Sequence, residues 1–127
     1  MIILDYRDRR PIYEQIMERF QELMMSGGLK QDEKLPSVRS LAMELGANPN
    51  TIQKAYQELE SQGVICSVGG KGSFVQGKAA AQAVLRGQAV QALAEAARQG
   101  VLAGLPREEA AAILAAAYDK KEGVTEG

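Results

Sequence analysis

A chain of 127 residues, 46% of them apolar, is long enough for one compact domain with an appendage but too short for two large domains, since separate cores need about 100 residues each. Its apolar runs fall far short of the roughly 20 residues that a membrane-spanning helix requires, and MIILDYRDRR places its charges after a short apolar start, the reverse of a signal peptide, so a cytoplasmic location is expected. There is no histidine, which removes the commonest general base and metal ligand, and a net charge of -1 with a pI near 5.5 does not advertise nucleic-acid binding, so charge distribution matters more than its sum.

In chain order, Ile12, Ile16, Phe20 and Leu23, with Met17 and Met24 beside them, recur at helical spacing from Pro11 to about Ser26, and Gly27-Gly28 ends the run. The methionines read as core filling. LKQDEKLPS reads as a loop, after which Ser37 caps a helix whose buried side is Val38, Leu41, Ala42 and Leu45, closed by Gly46. Asn48 as N-cap and Pro49 at the first helical position start the next helix at once, with Ile52, Ala55, Tyr56 and Leu59 as its inward stripe. Two short helices joined this tightly cannot lie in line, and the pattern predicts a helix-turn-helix whose second helix turns Asn50, Gln53, Lys54 and Gln57 outward.

After Gly63, VICSV and SFV are β-prone runs joined by GGKG, a hairpin whose position directly behind a helix-turn-helix makes it a wing. Cys66, in the first of these runs, is expected to be a buried, inert thiol rather than a nucleophile or metal ligand. From Lys78 to Gly127 the composition shifts to alanine-rich helix formers: Val90, Leu93, Ala97 and Val101 make one stripe, Ala110, Ile113, Leu114, Ala117 and Tyr118 another, with GLPREE between them. A pair of slender helices does not easily form its own core. A second copy of the chain is the simplest cover, with Val90, Leu93, Val101, Ile113 and Leu114 as candidate dimerisation residues. The expected domains are residues 1–77 and 78–127.

Charge placement favours nucleic acid. Between Glu44 and Glu58 there is no carboxylate and one lysine, and from Ser61 to Ala94 there is no carboxylate at all while Lys71, Lys78 and Arg86 are present. Arg39 in a first helical turn suits a phosphate contact better than a mere surface charge. Asn50 serves equally well as a helix-start residue or as a partner for adenine, and Gln53 and Gln57 are uncharged amides able to read base edges without repelling phosphate. Lys71 between glycines suits DNA because glycine lets the backbone approach closely. Tyr56 belongs to the apolar stripe and is expected in the core. No nucleophile, base and orienting group converge, so neither an enzyme nor a metal or cofactor site is expected.

The stretch LPSVRSLAMELGANPNTIQKAYQELESQGVI followed by GGKGSFV resembles the winged-helix DNA-binding domain of GntR-type bacterial transcriptional regulators. PIYEQI, NPNTIQKAYQELE and the short tail together resemble the YtrA-like branch. The likeness covers about residues 2 to 77 in specific motifs, and the tail only in length and helical character. It implies a homodimeric repressor binding an operator with two related half-sites. By the same resemblance Arg39 contacts DNA, Thr51 touches the backbone with Asn48 and Asn50 flanking it, and Gly70, Lys71 and Gly72 form the wing tip that approaches the minor groove. Pro49 and Gln53 stand where many members carry arginines, whereas the PNT arrangement is typical of the YtrA-like branch.

The expectation is therefore a mainly α winged helix-turn-helix with a two-stranded wing and a C-terminal two-helix dimerisation tail, acting on double-stranded operator DNA. The alternative is a winged helix used as a protein-interaction module, which would not need a carboxylate-free recognition face. The tail is too short to enclose a metabolite pocket of the usual few hundred cubic ångströms, so no small-molecule effector is assigned.

Overall fold

The computed structural model describes residues 2–126, with side chains described through residue 120. The chain runs α1 (Ile12–Ser26), α2 (Val38–Leu45), α3 (Pro49–Ser61), β1 (Ile65–Val68), β2 (Gly72–Val75), α4 (Lys78–Leu102) and α5 (Arg107–Glu126). It forms two compact units, divided between Arg86 and Gly87. The first is a winged helix. Among the described residues no helix is long and apolar enough to cross a membrane.

The helix boundaries follow their capping chemistry. Gly27 ends α1 at φ 86°, in the left-handed region that glycine enters without a Cβ penalty. The Ser37 side chain accepts a hydrogen bond from the Ser40 amide at 3.0 Å, and Asn48 accepts from the Asn50 amide at 2.8 Å, so α2 and α3 are each closed at their N-terminus by a side-chain oxygen. Only Gly46, Ala47 and Asn48 separate the two helices, and Ala47 N–H donates back to the Ala42 carbonyl at 3.0 Å, which turns the chain sharply.

The core of this unit gathers Ile16, Phe20 and Met24 from α1, Leu41 and Ala42 from α2, and Ile52, Ala55, Tyr56 and Leu59 from α3, with Val64, Ile65 and Val75 from the wing beneath them. Phe20 and Tyr56 meet edge to face, ring centroids 5.9 Å apart. The buried Gln15 side chain draws the N-terminal segment onto α1: its Oε1 accepts from Asp5 N and its Nε2 donates to Asp5 O. This seats Ile2 in the core.

The wing is an antiparallel pair with Ile65 opposite Val75 and Val68 opposite Gly72. Its outer edge is not left open. Leu35 N–H donates to Ser73 O and Val75 N–H to Glu33 O, both at 2.9 Å, and Lys34 forms a bridge with Phe74. The segment LKQDEKLPS remains a loop, as expected, but backs β2 through this isolated bridge and its backbone hydrogen bonds, because the unpaired amides and carbonyls of β2 need acceptors and donors. Cys66 also departs from expectation. It is exposed, since successive residues of β1 point to opposite faces and Ile65 takes the inward one.

The first unit runs past Gly77 into α4: Ala81 is fully buried, and Ala80 and Val84 pack against the same core. In the second unit α4 ends in a turn at Gly104, φ 76°, and Leu105 lies so close to Gly100 that a Cβ there would sit 3.2 Å from Leu105 Cδ2. Small residues at that position let the inter-helix turn close. Glu95 and Arg98 pair along the exposed surface of α4.

Candidate nucleic-acid interface

Helix α3 buries Ile52, Ala55, Tyr56 and Leu59, and the helical period then leaves Asn50, Gln53, Lys54 and Gln57 exposed, as the sequence predicts. The structure splits this outward set between two flanks. Gln53 and Gln57 turn towards the wing, where they line a shallow cleft of about 340 Å³ whose far wall is Ser67, Val68 and Gly70. Lys54 turns the other way. Its Nζ lies 4.2 Å from the centre of the Tyr13 ring on α1, a cation–π contact in which the aromatic face attracts the ammonium group.

At the N-terminus of α3, Asn50 is exposed and Thr51 half-buried, with Thr51 N–H donating to the Asn48 carbonyl at 2.9 Å. Asn48 has its Oδ1 committed to the helix cap. Arg39, in the first turn of α2, is exposed and makes no ion pair among the described residues, and neither does Lys71 at the wing tip. The tip itself is a tight turn, Lys71 N–H donating to Val68 O at 2.9 Å, and it requires positive φ at Gly70 (76°) and Gly72 (118°). A side chain at either position would strain the turn.

Two residues that sequence reasoning did not single out belong to this surface. Lys34 lies across the wing: a Cβ on Gly72 would come within 2.8 Å of its Cε, so Gly72 is the groove in which the lysine stem rests. Glu60 lines the same cleft as Gln53 and Gln57, its carboxylate held by Ser67 of β1. Glu58 and Glu60 sit together between two acid-free stretches, and nothing in the sequence tells which of them meets the cleft. No local signal finds either residue, because Lys34 reaches the wing only through the pairing of its segment with β2, and Glu60 only through the fold-back of β1.

The five candidate dimerisation residues lie on the second unit. Val90, Leu93 and Val101 on α4 and Ile113 and Leu114 on α5 are all exposed, Val101 the most at 78%. An apolar set of this kind is unusual on a surface facing only water.

The family model described as "Bacterial regulatory proteins, gntR family" matches residues 12–75. The HTH-type transcriptional repressor YtrA of Bacillus subtilis (strain 168) is 49% identical over 75 residues, which are 59% of this chain and 58% of that protein. The first curated relatives are thus spanned over only 58 to 61% of their own length. A GntR family transcriptional regulator from Listeria monocytogenes is similar over 87% of this chain and 96% of its own, at 32% identity and a TM-score of 0.69. The DNA-binding domain of AraR, solved in complex with operator ORE1, is similar over 59% of this chain and 92% of its own, at 33% identity and a TM-score of 0.51.

Proposed function

The chain belongs to the gntR family of bacterial regulatory proteins, and from that premise we propose that it is a homodimeric transcriptional repressor that occupies an inverted-repeat operator. The observation that carries this reading is the exposed amide face of α3. From Pro49 to Gln57 it bears no carboxylate, and the neighbouring elements carry exposed cations, Arg39 on α2 and Lys71 at the wing tip. In the proposed complex the N-terminal half of α3 enters the major groove, Gln53, Gln57 and Asn50 meet base edges, and Arg39, Thr51, Lys71 and Lys34 meet phosphates. The net charge of -1 supplies no general attraction to DNA, so affinity must come from this local cluster. The operator complex of the AraR domain supports the choice of ligand.

Dimerisation rests on the exposed apolar residues of α4 and α5, which a second copy would cover. A two-fold protein presents two recognition helices to one side of the duplex, so half-site centres should lie about 10 bp, or a small multiple of that, apart. The site of action is the cytoplasm, where the DNA is. Footprinting on the region upstream of the gene tests the reading: two protected half-sites related by a dyad are expected, and an insertion of about 5 bp between them should drop affinity to the non-specific level. An operator that tolerates this insertion would refute the dimeric mechanism, and a failure to retard any duplex would refute DNA binding itself.

A further inference from the structure

Glu60 is out of place on a surface meant for phosphate. It stands in the last turn of α3 and lines the cleft shared by Gln53, Gln57 and the wing. At ordinary salt the screening length is about 10 Å, so a carboxylate there repels a duplex seated on that face and by charge alone weakens binding. Its hydrogen bonds give the compensation. The Ser67 amide donates to Glu60 Oε1 at 3.3 Å and the Ser67 hydroxyl lies 3.2 Å from Oε2, while Ser67 Oγ is also 3.3 Å from Ser73 Oγ on β2. One carboxylate therefore ties the recognition helix to the first strand of the wing and, through a chain of two hydroxyls, to the second.

The base of the wing is held by the core and by its pairing with Glu33 and Leu35, so the tie made by Glu60 acts farther out, at Ser67, two residues before the glycine-rich tip Gly69–Gly72, where the backbone has the most conformational freedom to lose on binding. We propose that Glu60 is a positioning residue that sets the wing at a fixed distance from the recognition helix, so that Lys71 meets its phosphate while Gln53 and Gln57 meet their bases. The proposal rests on the DNA-binding reading above. It assigns no contact with DNA to Glu60 itself.

The charge and the hydrogen bonds of Glu60 make opposite predictions, which separates them. Glu60→Gln removes the charge and keeps acceptor and donor atoms for Ser67, so it should bind operator at least as tightly as the parent chain. Glu60→Ala removes both and should bind about three- to tenfold more weakly, the effect expected when one side chain must be ordered on association. In a Lys71→Ala background the same Glu60→Ala change should cost less than about twofold, since its effect runs through the wing tip. Circular dichroism and the thermal midpoint establish that each variant is folded; should Glu60→Ala unfold, Ser67→Ala deletes the hydroxyl link and should weaken binding in the same direction. Glu60→Ala binding as well as or better than the parent would overturn the proposal, and so would an undiminished loss in the Lys71→Ala background. If the parent chain retards no duplex at all, the DNA-binding reading fails first, and this inference with it.

Discussion

The Tyr56 hydroxyl donates a 2.6 Å hydrogen bond to the Pro36 carbonyl, fastening the middle of α3 to the residue just before the cap of α2. With Phe20 against its ring edge, Tyr56 joins all three helices of the winged helix at one point. The angle between α2 and α3, and with it the direction in which Gln53 and Gln57 point, is held there.

Tyr56→Phe should therefore lower unfolding stability by about 1 kcal/mol near neutral pH, the usual cost of a lost buried hydrogen bond. The pH dependence gives a second signature. Burial raises the Tyr56 phenol well above its ordinary value of 10.0, so the folded state keeps it protonated where the unfolded state ionises. The stability this contributes is complete below about pH 10 and is lost as pH rises above that value. Urea titrations from pH 8 to 11 should show the parent losing stability faster than Tyr56→Phe at the alkaline end, and parallel curves would show that Tyr56 does not ionise on unfolding.

The family resemblance places Asn48 at the DNA, but its Oδ1 is engaged in capping α3. Asn48→Ala should cost about 1 kcal/mol of stability, as cap removal does. Asn48→Asp keeps the cap and places a carboxylate at the end of α3 proposed to enter the groove, so thermal stability should hold while operator affinity falls. Unchanged stability in Asn48→Ala with reduced affinity would assign the residue to DNA alone.

The flanks of α3 should separate by what they read. Arg39→Ala or Lys71→Ala should weaken binding to many sequences and reduce the salt dependence by about one unit of log–log slope for each phosphate no longer neutralised. Gln53→Ala or Asn50→Ala should instead relax discrimination at particular base pairs by roughly 1–3 kcal/mol. Lys54→Ala should affect stability more than specificity, because its ammonium group is already stacked on Tyr13. Affinities measured against a panel of single-base operator variants at several salt concentrations distinguish these classes; equal, sequence-blind losses throughout would contradict the division.

Two truncations should behave differently. A chain ending at Arg86 keeps Ala81, Ala80 and Val84 in the winged-helix core and should be folded and mainly monomeric, with weakened operator binding. A chain ending at Gln76 loses those side chains and should be less stable by roughly 2 kcal/mol from the lost burial. Light scattering and thermal unfolding of the two fragments provide the check, and a dimer that survives truncation at Arg86 would move the dimer interface off the tail.

The two helices of the motif, their caps and their inward stripes were legible because each depends on neighbours within a few residues. Ser37, Asn48 and Pro49 act on the next helical turn, Gly46 on the last, and the stripe Ile52, Ala55, Tyr56, Leu59 is set by the helical period alone. The hairpin was legible for the same reason, since GGKG can hardly be anything but a tight turn between β-prone runs. The outward character of Asn50, Gln53 and Gln57 follows from the same periodicity.

Contacts between segments distant in sequence were decided only in three dimensions. A loop with no alternating pattern became a partner for β2 because the free edge of that strand required one, and this brought Lys34 to Gly72. The helical period exposes Lys54 along with Gln53 and Gln57 but sets it about 100° round from Gln53, and only the packing of α1 against α3 puts the ring of Tyr13 beneath its ammonium group. Cys66 faces out because the pairing register, which one residue of slip would reverse, puts Ile65 inward. Glu60 follows Glu58 in sequence as one of two acids between acid-free stretches, yet in the fold it stands beside the wing, since folding back at Gly63 returns β1 to the helix it has just left. Local sequence determines which elements form and which faces they expose; which charges share a surface depends on the packing of those faces, because Coulomb and hydrogen-bond energies depend on distance through space and not along the chain.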